Sequence, residues 1–265
     1  MKVHGAFQFI ASFLLYGFSI ASATPSDVSS IQECKTNHVP NVHPPFVEPR
    51  IFRQGTVQII PKRTTDSDGD SNQAEEFPTS SVLGCCSKVP IGEMPQLSTE
   101  QATDILDDAV TRGWKGGAGE WTQMSLSERI ERIQDFIRNL QSQREAIIDV
   151  LMWEIGKNYK DAASEFDRTI QFIEMTIDTI QSLDIFNPNA TIKDYGSSTH
   201  AFVRRNAIGI ILCLGPYNYP LNEAYATLIP ALLMGNVVIF KIPSIGGLSH
   251  LLTFDAFTKA LPPNT

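Results

Sequence analysis

Apolar positions along this chain fall into three regimes, and each predicts a different kind of structure. Residues 6 to 23, "AFQFIASFLLYGFSIASA", form an uncharged run that follows Lys2 and closes on the small residues Ala21 and Ala23. A basic start, an apolar centre and an A-x-A end predict a cleaved signal sequence over residues 1–23. That implies the secretory pathway, or an organelle reached through it; without a working signal the chain would be cytoplasmic. Such a run would also almost span a bilayer. The small terminal residues and the lack of flanking basic residues favour cleavage, which leaves no stable membrane anchor.

Between residues 98 and 183 the apolar positions recur every three to four residues, the period of amphipathic helices. Ser98 with Gln101 and Ser125 with Glu128 are capping-box pairs that predict two helix starts. The first helix carries Ala102, Ile105, Leu106, Ala109 and Val110 on one face; the second carries Ile130, Ile133, Phe136, Ile137 and Leu140. A glycine-rich break, "RGWKGGAGEW", separates them. A third helix is expected from about Ser142, stopped by Gly156 after "LMWEI". A fourth, about Lys160 to Leu183, places Ala162, Phe166, Ile170, Ile173 and Ile177 together. These stripes predict core rather than cofactor contact, so no chemistry is assigned to them.

After residue 208 the apolar positions come in short continuous blocks. "IGIILCLG" and "VVIF" read as strands buried on both faces, while "LNEAYATLIPALLMG" and "GGLSHLLTFDAFTKAL" read as helices. Two apolar strands joined by a helical crossover imply a parallel pair. The predicted fold class is therefore α/β: an incomplete Rossmann-like parallel sheet, β-α-β-α over 208–265, preceded by a helical segment over 82–184. Residues 24–81 read as an extended lead-in of low order, with a candidate hairpin over 49–63 and an acidic loop. Residues 185–207 read as an irregular strand pair.

Composition narrows the function classes. A net charge of -8 without clustered Lys or Arg excludes nucleic-acid binding. Asp66, Asp68 and Asp70 have the spacing of a calcium loop, but Ser71 stands where the turn needs glycine and Phe77 where a glutamate is needed. No metal site is assigned. Cys34, Cys85, Cys86 and Cys213 show no disulfide framework, and Cys213 reads as a small buried hydrophobe. His200 has no partner at ligand spacing. In a secreted chain, Asn189-Ala190-Thr191 would be a candidate glycosylation acceptor.

Ligands in open α/β sheets bind beyond the carboxyl ends of the strands. Asn218, in "GPYNYP", follows the first strand, and Lys241 ends the second. Both polar residues therefore face one crevice. The segment "GPYNYPLNEAYATLIPALLMGNVVIFKIPS" resembles the aldehyde dehydrogenase superfamily pattern P-x-N-[FY]-P, a helix ending in G-N, then V-V-x-K-P. "WTQMSLSERIERI" and "EIGKNYKDAASEFDRTIQF" resemble, in order, that family's N-terminal helices. The likeness covers about residues 82 to 265 and is strongest to the NADP-dependent, non-phosphorylating glyceraldehyde-3-phosphate dehydrogenase branch.

The resemblance implies roles residue by residue. Asn218 would donate its amide to the oxyanion formed when a cysteine thiolate attacks an aldehyde. Lys241 would bind the adenosine ribose, with Pro216 and Tyr217 also on the cofactor side. Ser244 stands where NAD-preferring members carry glutamate, which removes a charge repulsive to a 2′-phosphate and implies NADP rather than NAD. The chain departs from the pattern in placing Ile242 between Lys241 and Pro243. Tyr219 and Arg168 would line the aldehyde entrance. Glu174 stands where that branch tends to carry a second basic residue, which counts against glyceraldehyde-3-phosphate as the substrate. Residues 185–207 would start the family's oligomerisation sheet, implying a homo-oligomer at full length. The family's glycine-rich motif, glutamate base and cysteine nucleophile match nothing up to Thr265, so the chain is expected to be an N-terminal part that does not turn over aldehyde alone. A non-catalytic, secreted binding protein derived from the family is the alternative.

Overall fold

A computed structural model describes residues 45–48, 50–53, 56–59, 78–182, 192–194, 200–202 and 206–265. The signal segment, Cys34, the acidic loop and the Asn189 triplet lie outside the described residues.

The predicted capping boxes open two helices. The Ser98 hydroxyl accepts from the Gln101 amide at 3.2 Å and the Gln101 side chain accepts from the Ser98 amide at 2.9 Å, starting α1, Thr99–Asp108. The glycine-rich break is more ordered than its composition predicts. It holds a π-helical turn, Ala109–Trp114, a 3-10 turn, Lys115–Gly117, and the short helix α2, Glu120–Gln123. Ala109 and Val110 therefore leave the α-helical stripe assigned to them. The break is ordered from outside: buried Trp121 donates its indole N–H to the Leu232 carbonyl at 3.0 Å, and the Thr122 hydroxyl donates to the Gly235 carbonyl at 2.9 Å.

Ser125 and Glu128 then start α3, Leu126–Gln141. The next helix, α4, spans Arg144–Ile155 and stops at Gly156, where φ is 73°. A Cβ at Gly156 would lie 3.0 Å from the Cys85 sulfur, so both backbone sign and space require glycine there. The last helix of this segment, α5, spans Tyr159–Ser182.

The candidate hairpin over 49–63 forms, with β1, Arg50–Arg53, antiparallel to β2, Thr56–Ile59. A second hairpin was not predicted: β3, Thr79–Leu83, pairs antiparallel with β4, Pro90–Pro95. Its first strand falls at the end of the assigned lead-in and its second inside the segment assigned to helix. The cause is short polar strands, "TSSVL" with an exposed burial pattern, which carry little periodic signal. Within residues 185–207, β5, Ile192–Asp194, pairs antiparallel with β6, His200–Phe202.

The β-α-β-α unit appears as read. Strand β7, Ile210–Leu214, runs parallel to β8, Val237–Lys241, in the register Ile210↔Val237 through Leu214↔Lys241. The crossover helix α6 spans Pro220–Leu233, and α7 spans Leu248–Ala260. The strands are less buried than predicted: Cys213, Val237 and Ile239 are buried, but Leu214 is 44% exposed. Among the described residues this sheet has two strands, so both outer edges lack a neighbour.

The core lies between the helical segment and the β-α-β-α unit, where α3 packs on α7 and α5 on α6. Phe136 stacks on Phe257 at 4.3 Å between ring centroids, and Tyr225 stacks on His250 at 5.9 Å. Large side chains such as Trp121, Phe136, Phe166 and Tyr225 are fully buried. The helical layer is thereby held directly behind the loops that leave the carboxyl ends of β7 and β8.

Candidate active-site loops

Because Leu214 and Lys241 are partners in the parallel register, the chain leaves both strands side by side. The Gly215 amide donates to the Lys241 carbonyl at 3.3 Å. Glycines then let the two loops touch: a Cβ at Gly215 would lie 2.9 Å from the Pro243 ring, and one at Gly246 would lie 2.8 Å from the Pro220 ring. Gly215–Tyr219 and Ile242–Gly247 therefore form one rim.

On that rim Asn218 is exposed and makes no hydrogen bond among the described residues. Tyr219 is the N-cap of α6 but caps nothing with its side chain. Its ring instead meets two cations, with the Lys157 ammonium 3.9 Å and the Arg168 guanidinium 5.6 Å from the centroid. Such contacts contribute about 0.5–2 kcal/mol each. The structure therefore brings Tyr219 and Arg168 together, and adds Lys157. Glu174 lies further along the same helix and is exposed.

Lys241 and Ser244 lie elsewhere on the rim. They line a cleft of about 460 Å³ with Met94, Asp108, Arg53 and Ile242, along β8. Asn218, Tyr219 and Arg168 do not line it, and neither do Pro216 and Tyr217. Pro216 is half-buried and Tyr217 is 60% exposed. The predicted residues thus form two groups, one around Tyr219 and one along the cleft.

Two buried glutamates to which the sequence reading gave no role hold these loops. Glu165, fully buried on α5, accepts from the amides of Leu221 at 3.0 Å and Asn222 at 3.3 Å, the first turn of α6. Its other oxygen takes the Lys157 ammonium. Glu154, buried near the end of α4, accepts from Gly246 at 2.8 Å and Leu248 at 3.1 Å, the start of α7. Burial pushes the Glu154 carboxyl up to about 7, against the opposing pull of the Gly246 and Leu248 amides. A helix N-terminus attracts anions. Here both N-termini beneath the rim are already filled by carboxylates from the helical segment. The sequence did carry a signal for this: Glu165 shares a helical face with Ala162, Phe166 and Thr169, all buried. Glu154 likewise shares one with Val150 and Leu151.

Burial pushes the Cys213 thiol up to about 11, which agrees with its reading as a core residue and not a nucleophile. No group of three or more potential metal ligands occurs among the described residues. No helix among the described residues is long and apolar enough to cross a membrane.

Known proteins bear on this geometry. The family described as Aldehyde dehydrogenase family matches residues 73–265. The chain is similar to the NADP-dependent glyceraldehyde-3-phosphate dehydrogenase of Streptococcus equinus, being 33% identical over 177 residues, 64% of this chain and 35% of that protein. It is also similar to the enzyme of the same name from Pisum sativum, 23% identical over 197 residues, 73% of this chain and 39% of that one. Among solved structures, it resembles the NADP-dependent glyceraldehyde-3-phosphate dehydrogenase of Bacillus halodurans complexed with NADP. That likeness has a TM-score of 0.64 and 27% identity, over 82% of this chain and 42% of the other. Lactaldehyde dehydrogenase from Escherichia coli shares the fold, with a TM-score of 0.65 at 17% identity. The chain spans less than half the length of each of these relatives.

Proposed function

The chain belongs to the aldehyde dehydrogenase family, and from that premise we propose that it carries the asparagine loop and the adenosine side of an NADP-linked aldehyde-oxidising site. The observation that carries this reading is the rim itself. An exposed amide without a hydrogen-bond partner among the described residues, Asn218, stands beside a tyrosine whose ring meets two cations, and Lys241 and Ser244 line a cleft on the neighbouring strand.

In this reading the Asn218 side-chain N–H hydrogen-bonds an aldehyde oxygen as negative charge develops on it. A neutral, fixed donor of this kind is worth about a hundredfold or more in rate. Tyr219 and Arg168 flank the entrance. Two-cation packing on the ring holds Tyr219 against the helical layer, which fixes the peptide that carries Asn218.

The residues present fit the adenosine end of the dinucleotide. Lys241 supplies a cation and Ser244 a hydroxyl on one cleft, with no carboxylate at position 244 to repel a 2′-phosphate. They do not supply its pyrophosphate site, because the amides at the starts of α6 and α7 are taken by Glu165 and Glu154. When bound, NADP would supply the hydride acceptor. Glu174, further along the Arg168 helix, stands where the resembling branch tends to carry a second basic residue, which counts against glyceraldehyde-3-phosphate as the substrate.

The test is direct. Native protein captured with an antibody against residues 98–183 is assayed for aldehyde-dependent reduction of NADP and NAD, with its intact mass measured. Aldehyde-dependent NADPH formation by a species larger than this chain supports the reading. A captured protein that reduces neither cofactor with any aldehyde of a broad panel overturns it.

A further inference from the structure

We propose that Glu165 is a positioning residue for the Asn218–Tyr219 loop, acting through Lys157. The meaning of this for catalysis rests on the aldehyde-site reading of that loop, whereas the geometry itself does not.

A carboxylate with no exposed surface is costly unless its lone pairs are used. Glu165 uses them in two directions. One oxygen accepts from Leu221 and Asn222, and the other takes the Lys157 ammonium. A cap for α6 would need only the first of these. The second contact is what reaches the rim, because the same ammonium lies 3.9 Å from the Tyr219 ring, with only 14% of the Lys157 side chain exposed. Arg168, three residues beyond Glu165 and so on the same side of α5, approaches that ring at 5.6 Å. Glu165 thus fixes both ends of one short segment: the first turn of α6 through its amides, and the Tyr219 ring through Lys157. Asn218 is one peptide away from Tyr219, with nothing else among the described residues bonding its side chain. The aim of its amide is therefore set by where Tyr219 is held, and a displaced donor loses most of its effect on a reacting oxygen.

The test uses the whole chain with 3-fluorotyrosine incorporated, the Tyr219 resonance being assigned by its loss in Tyr219→Phe. Three variants are compared: Glu165→Gln, Lys157→Met and Lys157→Arg. Glutamine keeps an oxygen for the α6 amides but removes the charge that anchors Lys157. The expected result is a displaced fluorine signal of the same sign in Glu165→Gln and Lys157→Met, with recovery in Lys157→Arg. The side-chain amide signal of Asn218 should shift in the first two variants and not in the third. Glu165→Ala should also speed hydrogen exchange at Leu221 and Asn222 by roughly tenfold to a hundredfold.

A Tyr219 signal that stays in place in folded Glu165→Gln overturns the proposal and leaves Glu165 as a helix cap alone. Where the Glu165 variants do not fold, Lys157→Met decides, and an unmoved Tyr219 signal there overturns the proposal equally. None of these readouts needs an aldehyde or a dinucleotide. Failure of the enzyme reading therefore leaves the test standing, and a displaced signal in a protein that oxidises no aldehyde removes only the enzyme reading.

Discussion

Replacing Glu154 with glutamine is expected to change how the stability of this chain depends on pH, and the direction can be worked out in advance. Burial raises the Glu154 carboxyl from 4.5 to about 7. The folded state then binds a proton more tightly than the unfolded chain does. Stability from this group is greatest in acid and falls as pH rises through the window from 4.5 to about 7. At about 1.4 kcal/mol per pKa unit, the ionised carboxylate costs the fold about 3 kcal/mol above that window. His250, the third residue of α7, acts in the opposite sense. Burial lowers it from 6.5 to about 4, with its bond to the Pro220 carbonyl opposing the shift. The stability that it contributes above pH 6.5 is lost as pH falls toward 4. Two slopes of similar size therefore oppose each other over most of the same range, and the unaltered chain should show little pH dependence from this pair.

Glu154→Gln removes one of the two. The variant should lose stability steadily toward acid, by about 3 kcal/mol relative to its own value near neutrality, as the His250 slope is exposed. His250→Phe keeps an aromatic ring in the stack with Tyr225 and should show the reverse, gaining stability toward acid. Urea-unfolding midpoints from roughly pH 4 to 8 measure this, provided the m-value is constant. The other carboxylates and histidines are common to all three proteins and cancel in the differences between the curves. If the difference between the unaltered chain and Glu154→Gln is flat from pH 4.5 to about 7, the carboxyl is not raised and the reasoning fails.

Gly156→Ala forces a side chain into a left-handed position and against the Cys85 sulfur, and should cost about 1–2 kcal/mol in urea unfolding. Asn236 accepts from the amides of Ile208 at 2.7 Å and Gly209 at 3.1 Å, so Asn236→Ala strands two donors at the start of β7. A loss of about 2–3 kcal/mol is expected, with Asn236→Asp much milder because it keeps the acceptor. Ser244→Glu should reverse a preference for adenosine 2′,5′-bisphosphate over adenosine 5′-monophosphate, read by ligand-observed NMR; an unchanged ratio would remove Ser244 from the cofactor reading.

Local signals in the sequence were read well where the structure they predict is also local. The capping boxes at Ser98 and Ser125 form because a hydroxyl and an amide three residues apart need nothing else. Gly156 stops α4 because one backbone sign decides it. The parallel strand pair follows from two apolar blocks and the helix between them. The β3–β4 hairpin gave no such signal, since its first strand is short, polar and exposed. Order in "RGWKGGAGEW" was equally hidden, because it depends on Trp121 and Thr122 reaching carbonyls more than a hundred residues away.

The candidate site divides along the same line. Asn218 and Lys241 stood out as candidates because polar residues at the ends of apolar strands are marked by position, whereas Ser244 came only from the family resemblance. What fixes them was not legible as chemistry, because Glu154 and Glu165 sit in helices read as core, and Lys157 lies in the short loop between those helices. Yet a glutamate on an apolar stripe contradicts the stripe, and burial of its charge is too costly to be incidental. Such a residue must have a partner, and the nearest unsatisfied donors in an α/β unit are the amides at the starts of its helices. A charged position inside an otherwise apolar helical face therefore predicts a long-range cap, and in this fold the caps lie directly under the loops that would meet a ligand.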